Sequence, residues 1–299
     1  MESFSVFSRS VQGSLHRKSG KPCQDASGCL GDEDLWIIAA ADGHGSDDYP
    51  RSDRGSSFAV AAALEVLLDF LAENLTAPAD TEGTLRRLEG GILRRWKQMV
   101  EGELSREPFA PGELSRVSER YRLRYAAGTD GVKAYGSTLL AACGRGNYWF
   151  GIQIGDGSCV AVDDSGGAWT PIPGDARCEM NRTTSLCDAD ALSEFRHCWI
   201  SAQPAAVFLG TDGIDNSYSG TEELLRLYLA MALVWAEQGP ETGLAEIRDF
   251  LPKITSQGSG DDVSLACALR RNPDEGAAER LRAELSARNR APGHREAEE

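Results

Sequence analysis

No stretch of the 299 residues reads as an apolar run of membrane-spanning length. The opening MESFSVFSRS has no basic segment followed by an apolar one, so no signal peptide and no membrane partner is expected, and a cytoplasmic location is. Positive charge is scarce: 31 Lys and Arg against 46 Asp and Glu leave a formal net charge of −15. That balance argues against general affinity for nucleic acid, whose phosphates call for basic surface. None of the eight cysteines forms a C-x-x-C pair, so zinc-site spacing is absent. They read as reduced thiols, several inside apolar runs such as TLLAACG and VSLACAL, where Cys acts as a small hydrophobe. A P-loop, an internal repeat and a linker that would split the chain are also missing.

What remains is an ordinary globular composition, 41% hydrophobic and 26% charged. Strands are predicted over 3–13, 34–42, 137–144, 148–155, 158–164, GGAWTPI, 205–212 and 263–270. A helix follows Ser52 or Asp53, with Phe58, Ala61, Leu64, Leu68, Leu71 and Leu75 expected along its buried face. Further helices are predicted over 81–105, within PGELSRVSERYRLRYAAG, over 221–238 and over about 241–255. Strands at both ends, with helices between, point to one α+β domain over 1–270. The charged tail 271–299 is expected to hold a helix in its middle and to end in disorder.

The same grammar recurs at several strand ends. Asp42 follows WIIAAA, Asp156 follows FGIQIG, Asp212 follows AVFLGT, and Asp261 and Asp262 precede VSLACAL; a glycine adjoins each or stands close by. Any one alone reads as a turn. Taken together they read as carboxylates able to meet at one edge of packed sheets. Such a cluster repels itself and is costly to bury unpaired. Hard divalent cations, Mg²⁺ or Mn²⁺, are the natural compensation. Two such ions about 3.5–4 Å apart share a water, make it a nucleophile near neutral pH, and suit a phosphate ester.

At this point GSLHRKSGKPCQDASG (13–28), AADGHGS (40–46), YGSTLLAAC (135–143), FGIQIGDGSCVAV (150–162), FLGTDGIDNS (208–217) and GSGDDVSLA (258–266) occur in the order found in one family. The chain resembles the metal-dependent Ser/Thr protein phosphatases of type 2C, in a short bacterial-type form. That resemblance implies a four-layer α-β-β-α sandwich of two antiparallel sheets flanked by helices, with two, or three, Mg²⁺ or Mn²⁺ ions at one end. It implies that Asp42 bridges two metals and the Gly43 carbonyl binds one of them. Asp212 and Asp261 hold the other, Asp25 supports the site, and Asp156 belongs to a third position. His44 matches the proposed general acid for the leaving Ser or Thr oxygen, a role suited to imidazole. A phosphoprotein substrate, and indirectly a Ser/Thr kinase, are the partners implied.

Three departures stand out. Gln24 replaces a Glu common in the family, though it is still able to orient a metal-bound water. Gly20 stands where many members carry a phosphate-contacting Arg, and Arg17 or His16 is the expected substitute. The interval between Asp156 and Asp212 is short, leaving 177–192 for substrate contact. The first two departures keep open a second reading, a pseudophosphatase serving as a binding module. A third is another metallohydrolase acting on small phosphoesters.

Overall fold

The computed structural model describes residues 3–175, 177 and 183–290. Among these residues the strands, in chain order, are β1 (Phe4–Val11), β2 (Ala26–Gly31), β3 (Leu35–Ala41), β4 (Leu139–Arg145), β5 (Tyr148–Ile154), β6 (Ser158–Val162), β7 (Ala168–Trp169), β8 (Arg196–Ile200), β9 (Ala206–Gly210) and β10 (Val263–Arg270). They form two five-stranded sheets, ordered β1-β10-β9-β6-β7 and β2-β3-β4-β5-β8. Every pairing is antiparallel.

The apolar runs are continuous because both faces of each sheet are covered. Side chains alternate across a strand with period two. In β3, Trp36, Ile38 and Ala40 enter the core between the sheets, while Ile37, Ala39 and Ala41 enter the core under the helices. In β10, Ala266 and Ala268 face the other sheet, whereas Val263, Leu265, Cys267 and Leu269 face outward onto helices. Phe4, Trp36 and Trp149 pack as a row of tilted rings through the middle layer, with centroids 5.6 and 6.2 Å apart.

Of the helices, α1 (Ser14–Ser19) is a single short turn, and α2 (Ser52–Glu73) and α3 (Thr81–Arg106) cover the β2–β8 sheet. The segment around 111–128 yields only α4 (Glu119–Ala126), because Pro111 and Gly112 leave the chain before it in turns. Two short turns, α5 (Ala191–Glu194) and α6 (Asp212–Asp215), precede α7 (Thr221–Gln257). The latter breaks at Gly239, whose φ of 76° favours glycine, and Pro240 opens its second half, as the two predicted helices require. The tail contributes α8 (Ala277–Arg290), which packs on α7 with Leu281 buried; residues 291–299 lie outside the described residues. The result is the four-layer sandwich.

The buried face of α2 differs from the expected one. Gly55, Ser56, Ala59, Val60, Ala62, Ala63, Leu67 and Leu71 are buried, while Leu68 and Leu75 are exposed. The helix is pressed between the sheet and α3, so its small residues occupy the close approach together with Leu67 and Leu71, while Leu68 turns outward. This Ala-rich helix is also long and apolar enough to cross a membrane by composition, contrary to the first reading of the sequence; in the fold its apolar face belongs to the core. Strands β2 and β8 escaped prediction, since ASGCLG is polar and glycine-rich and RHCWI is a half-buried edge strand.

Just before α2, Arg51 is 1% exposed. It donates to both Glu113 carboxylate oxygens at 2.5 and 3.0 Å, to the Glu107 carbonyl at 2.8 Å and to the Tyr135 hydroxyl at 2.7 Å, and it lies over the Phe109 ring. Replacing it strands these acceptors. Arg51→Met is expected to lower unfolding free energy by about 3 kcal/mol, the lower end for a broken buried ion pair because Glu113 keeps some water. Urea denaturation checks this: an unchanged midpoint contradicts it.

Candidate active site

Each acid is positioned by the end of a strand. The β3 ladder runs one residue past the strand, because the Asp42 N–H donates to Thr138 Oγ1 at 3.0 Å and its carbonyl accepts from the Thr138 N–H at 2.9 Å. Asp212 opens α6 directly after β9, and Asp25 immediately precedes β2. Asp156 follows β5, and Asp261 and Asp262 precede β10.

These ends meet. The Asp25 and Asp42 carboxyls act on each other, Asp42 feels the charges of Asp25, Asp212 and Asp156, and Asp212 feels those of Asp156 and Asp261. Burial, reinforced by Asp25 and Asp212, holds the Asp42 carboxyl well above the usual range. Burial likewise raises Asp25 to about 7, against the pull of the Thr211 hydroxyl 2.7 Å away, and raises Asp212 to about 7 with Asp156 and Asp261 adding to the effect. The charges that bear on these three are other carboxylates. An all-oxygen donor set that raises its own proton affinity in this way fits hard divalent cations. Asp25, Asp42, Asp156, Asp212 and Asp261, with the Gly43 carbonyl, are the residues that would hold them. Gly43 has no alternative: a Cβ there would come within 2.5 Å of the Ser52 carbonyl oxygen and 2.6 Å of that of Gln24.

His44 sits beside the cluster, its N–H donating to the Gly136 carbonyl at 3.1 Å and its ring edge-on to Tyr49 at 4.7 Å. Burial first, then the Lys133 ammonium, push its imidazole down to about 4. Lys133 pairs with Asp188 at 2.8 Å and lies over the Tyr49 ring.

Two expected phosphate contacts are placed elsewhere. Arg17 is exposed, and its guanidinium donates to the Gln12 carbonyl at 2.5 Å. His16 turns its Nδ1 to Asp262 at 2.9 Å and its Nε2 toward Asp261 at 3.6 Å. The helical turn of α1 aims His16 back at the β10 loop, where it props the Asp261–Asp262 pair.

Asp262 is the residue that sequence reasoning undervalued. Buried at 3% exposure, it accepts the Gly13 N–H at 2.6 Å, the Gln24 N–H at 2.6 Å and His16 Nδ1, tying the 13–24 segment to the start of β10. Its signal was the acidic doublet itself, of which metal chemistry used one member. Gln24 is a strut, its Nε2 donating to the His44 carbonyl at 3.1 Å and to Ser52 Oγ at 2.6 Å. Of the expected substrate segment 177–192, residues 178–182 lie outside the described residues. The part from Thr184 to Leu186 is laced to the site edge through Gly155 and Ser137.

A family model described as protein phosphatase 2C matches residues 12–251. The chain belongs to the protein phosphatase 2C family. Solved structures agree in fold. PppA, described as a key regulatory component of T6SS in Pseudomonas aeruginosa, superposes with a TM-score of 0.55 at 17% identity over 89% of this chain and 97% of that one. The catalytic domain of the Ser/Thr protein phosphatase PstP, solved with two manganese ions, gives 0.54 at 17% identity over 90% and 98%. A sex-determining protein from C. elegans gives 0.60 at 14% identity over 94% of this chain and 68% of that one. No curated protein matches the chain. As a type 2C member, this protein is a protein Ser/Thr phosphatase by family.

A carboxyl held above its ordinary value keeps its proton in the fold at a pH where the unfolded chain has lost it. Stability of the metal-free protein therefore falls as pH rises from the ordinary carboxylate range to about 7, the value to which Asp25 and Asp212 are raised. Cations bind the deprotonated acids. The rise in melting temperature on adding Mn²⁺ is thus expected to be larger at pH 8 than at pH 6. A calorimetric series across that window checks it; an increment that shrinks with rising pH contradicts it.

Proposed function

We propose that this phosphatase hydrolyses phosphoserine and phosphothreonine in proteins with a binuclear Mg²⁺ or Mn²⁺ centre. The observation that carries the reading is the convergence of Asp25, Asp42 and Asp212, each raised by burial beside further acids, with Asp261 bearing on Asp212 and Asp42 at the middle. When bound, two divalent cations would acidify a shared water and neutralise the phosphate oxygens. Asp42 would serve both ions, Asp212 and Asp261 one of them, and Asp25 would support the pair, while Asp156 suits a weaker third position. Asp262 and His16 fix the loop that carries Asp261.

His44 is the group we assign to give a proton to the leaving oxygen. An imidazole depressed to about 4 is neutral near pH 7, so the dianionic phosphate of a bound substrate is the charge that would favour its protonation. The pseudophosphatase reading rests on Gln24 and Gly20 alone. An inactive descendant has no need to keep five acids together at their mutual electrostatic cost. A cytoplasmic location opposite a Ser/Thr kinase is the setting this activity suits.

The test is hydrolysis of a phosphothreonine peptide by metal-stripped protein, with Mn²⁺ or Mg²⁺ added back. Activity is expected only with metal, and Asp42→Asn is expected to lower kcat by a factor on the order of 10² or more, comparable with losing a main electrostatic stabiliser of the transition state. Wild-type turnover in that variant would overturn the site. Turnover of nucleoside monophosphates in preference to the peptide would favour a small-molecule phosphoesterase.

A further inference from the structure

α1 is stitched at three points to the loop that carries Asp261 and to the end of α7 before it. The Gly13 N–H donates to Asp262 Oδ1 at 2.6 Å, the Ser14 N–H to Thr255 Oγ1 at 3.0 Å and the Leu15 N–H to the Gly260 carbonyl at 3.0 Å. The turn then closes on His16, whose carbonyl accepts the Gly20 and Lys21 N–H groups. The imidazole is thus carried by backbone held on both sides, and its place beside Asp261 is set by the fold.

The partners of Asp262 fix which ring nitrogen carries a proton. Its Oδ1 accepts from Gly13 and its Oδ2 from the Gln24 N–H at 2.6 Å, so the carboxylate is an acceptor at both oxygens. His16 Nδ1, 2.9 Å from the same Oδ2, is therefore the donor. In the neutral ring the lone pair then lies at Nε2. Nε2 stands 3.6 Å from Asp261 Oδ1, and among the described residues no hydrogen bond reaches it. An imidazolium N–H paired with a carboxylate would close to about 2.7–2.9 Å. Asp261 Oδ1 takes the Asp262 N–H at 2.8 Å and keeps a second lone pair.

Two lone pairs facing each other across that gap suit one cation between them. Bonds from a metal to imidazole nitrogen and carboxylate oxygen run about 2.0–2.2 Å, so two ligands of one ion lie up to about 4.4 Å apart. The setting behind the ring is that of a metal-binding histidine, whose other N–H is held by a carboxylate. Asp262 is no rival ligand, since N–H donors occupy both its oxygens. The His16 side chain is 16% exposed and that of Asp261 50%, so an ion can reach both. Asp261 in turn bears on Asp212, its expected partner on the same ion.

We propose that His16, through Nε2, is a further ligand of the cation that Asp261 would hold, oriented for it by Asp262. This rests on the binuclear reading above and adds one nitrogen to an otherwise all-oxygen donor set. Imidazole suits the later transition-metal ions, whereas Mg²⁺ keeps to carboxylates, carbonyls and water. The position therefore favours an ion such as Co²⁺ over Mg²⁺, a preference that an all-oxygen set would give more weakly.

The experiment loads the metal-stripped protein with Co²⁺ and records its proton NMR spectrum, in which the N–H of a cobalt-bound imidazole is strongly shifted and exchanges with solvent. One such resonance is expected, from the His16 Nδ1–H; it should vanish in His16→Gln and persist in His44→Gln. Calorimetry on the same proteins should show Co²⁺ affinity at one site falling on the order of tenfold or more in His16→Gln, with Mg²⁺ affinity falling less. Two bound ions without that resonance, a resonance that survives in His16→Gln, or equal losses for both ions would overturn the ligand and leave His16 as a prop alone. A wild-type protein that binds neither ion would instead strike the binuclear reading itself.

Discussion

The mutual repulsion of carboxylates brought to one end of the sandwich is the constraint on which the rest of this structure depends. Asp25, Asp42 and Asp212 are buried beside further acids, and each responds by holding its proton more tightly. Left alone, such a cluster would push its own strands apart. It is held by a scaffold whose strands are buried on both faces, so the strand ends cannot retreat without opening three apolar layers. Polar ties finish the job locally. Thr138 clamps Asp42 by two backbone-directed bonds, and Thr211 reaches Asp25 while accepting from the Ser264 N–H at 2.9 Å. The stress that remains is what divalent cations would relieve.

The same constraint explains why the two ends of the chain are joined. β1 pairs along its whole length with β10, from Phe4 opposite Arg270 to Val11 opposite Val263. Where that ladder ends, Asp262 takes over, gathering the Gly13 and Gln24 amides and His16 around one buried carboxylate. A charged acceptor satisfied by several donors is among the stronger contacts available inside a protein. It fixes Asp261 on one side and the Gln24–Asp25 step on the other, and Gln24 carries the constraint on to the His44 carbonyl. The loops that carry Asp261 and His44 are thereby set by one side chain.

Much of this was legible in the sequence where a single rule dominated. Runs such as LWIIAAA and VSLACALR could only be strands buried on both faces, and an acid at one end of each is a pattern that chance turns do not repeat in order. The break at Gly239-Pro240 was legible because glycine and proline act locally. What failed depended on neighbours the sequence does not name. The buried stripe of α2 follows its close approach to α3 and the sheet, which favours Ala59, Ala62 and Ala63 over Leu68. His16 and Arg17 looked like phosphate ligands because they are basic and near; the direction of α1 sends one to Asp262 and the other to a backbone carbonyl. β8 and β2 are edge strands whose exposed positions dilute the alternation that identifies a strand.

The departures at Gly20 and Gln24 acquire meaning in this setting. Without the arginine, and with a neutral amide in place of an acid, the rim beside His44 is left with a buried acceptor that has no partner and a small cavity. The central claim remains that the clustered acids form a two-cation centre with Asp42 common to both ions. Titration calorimetry of Mn²⁺ into metal-stripped protein tests it most directly. Two ions bound tightly per chain in the wild type, with neither retained at that affinity in Asp42→Asn, is the predicted result. A single tight ion, or two that persist in the variant, would contradict the account.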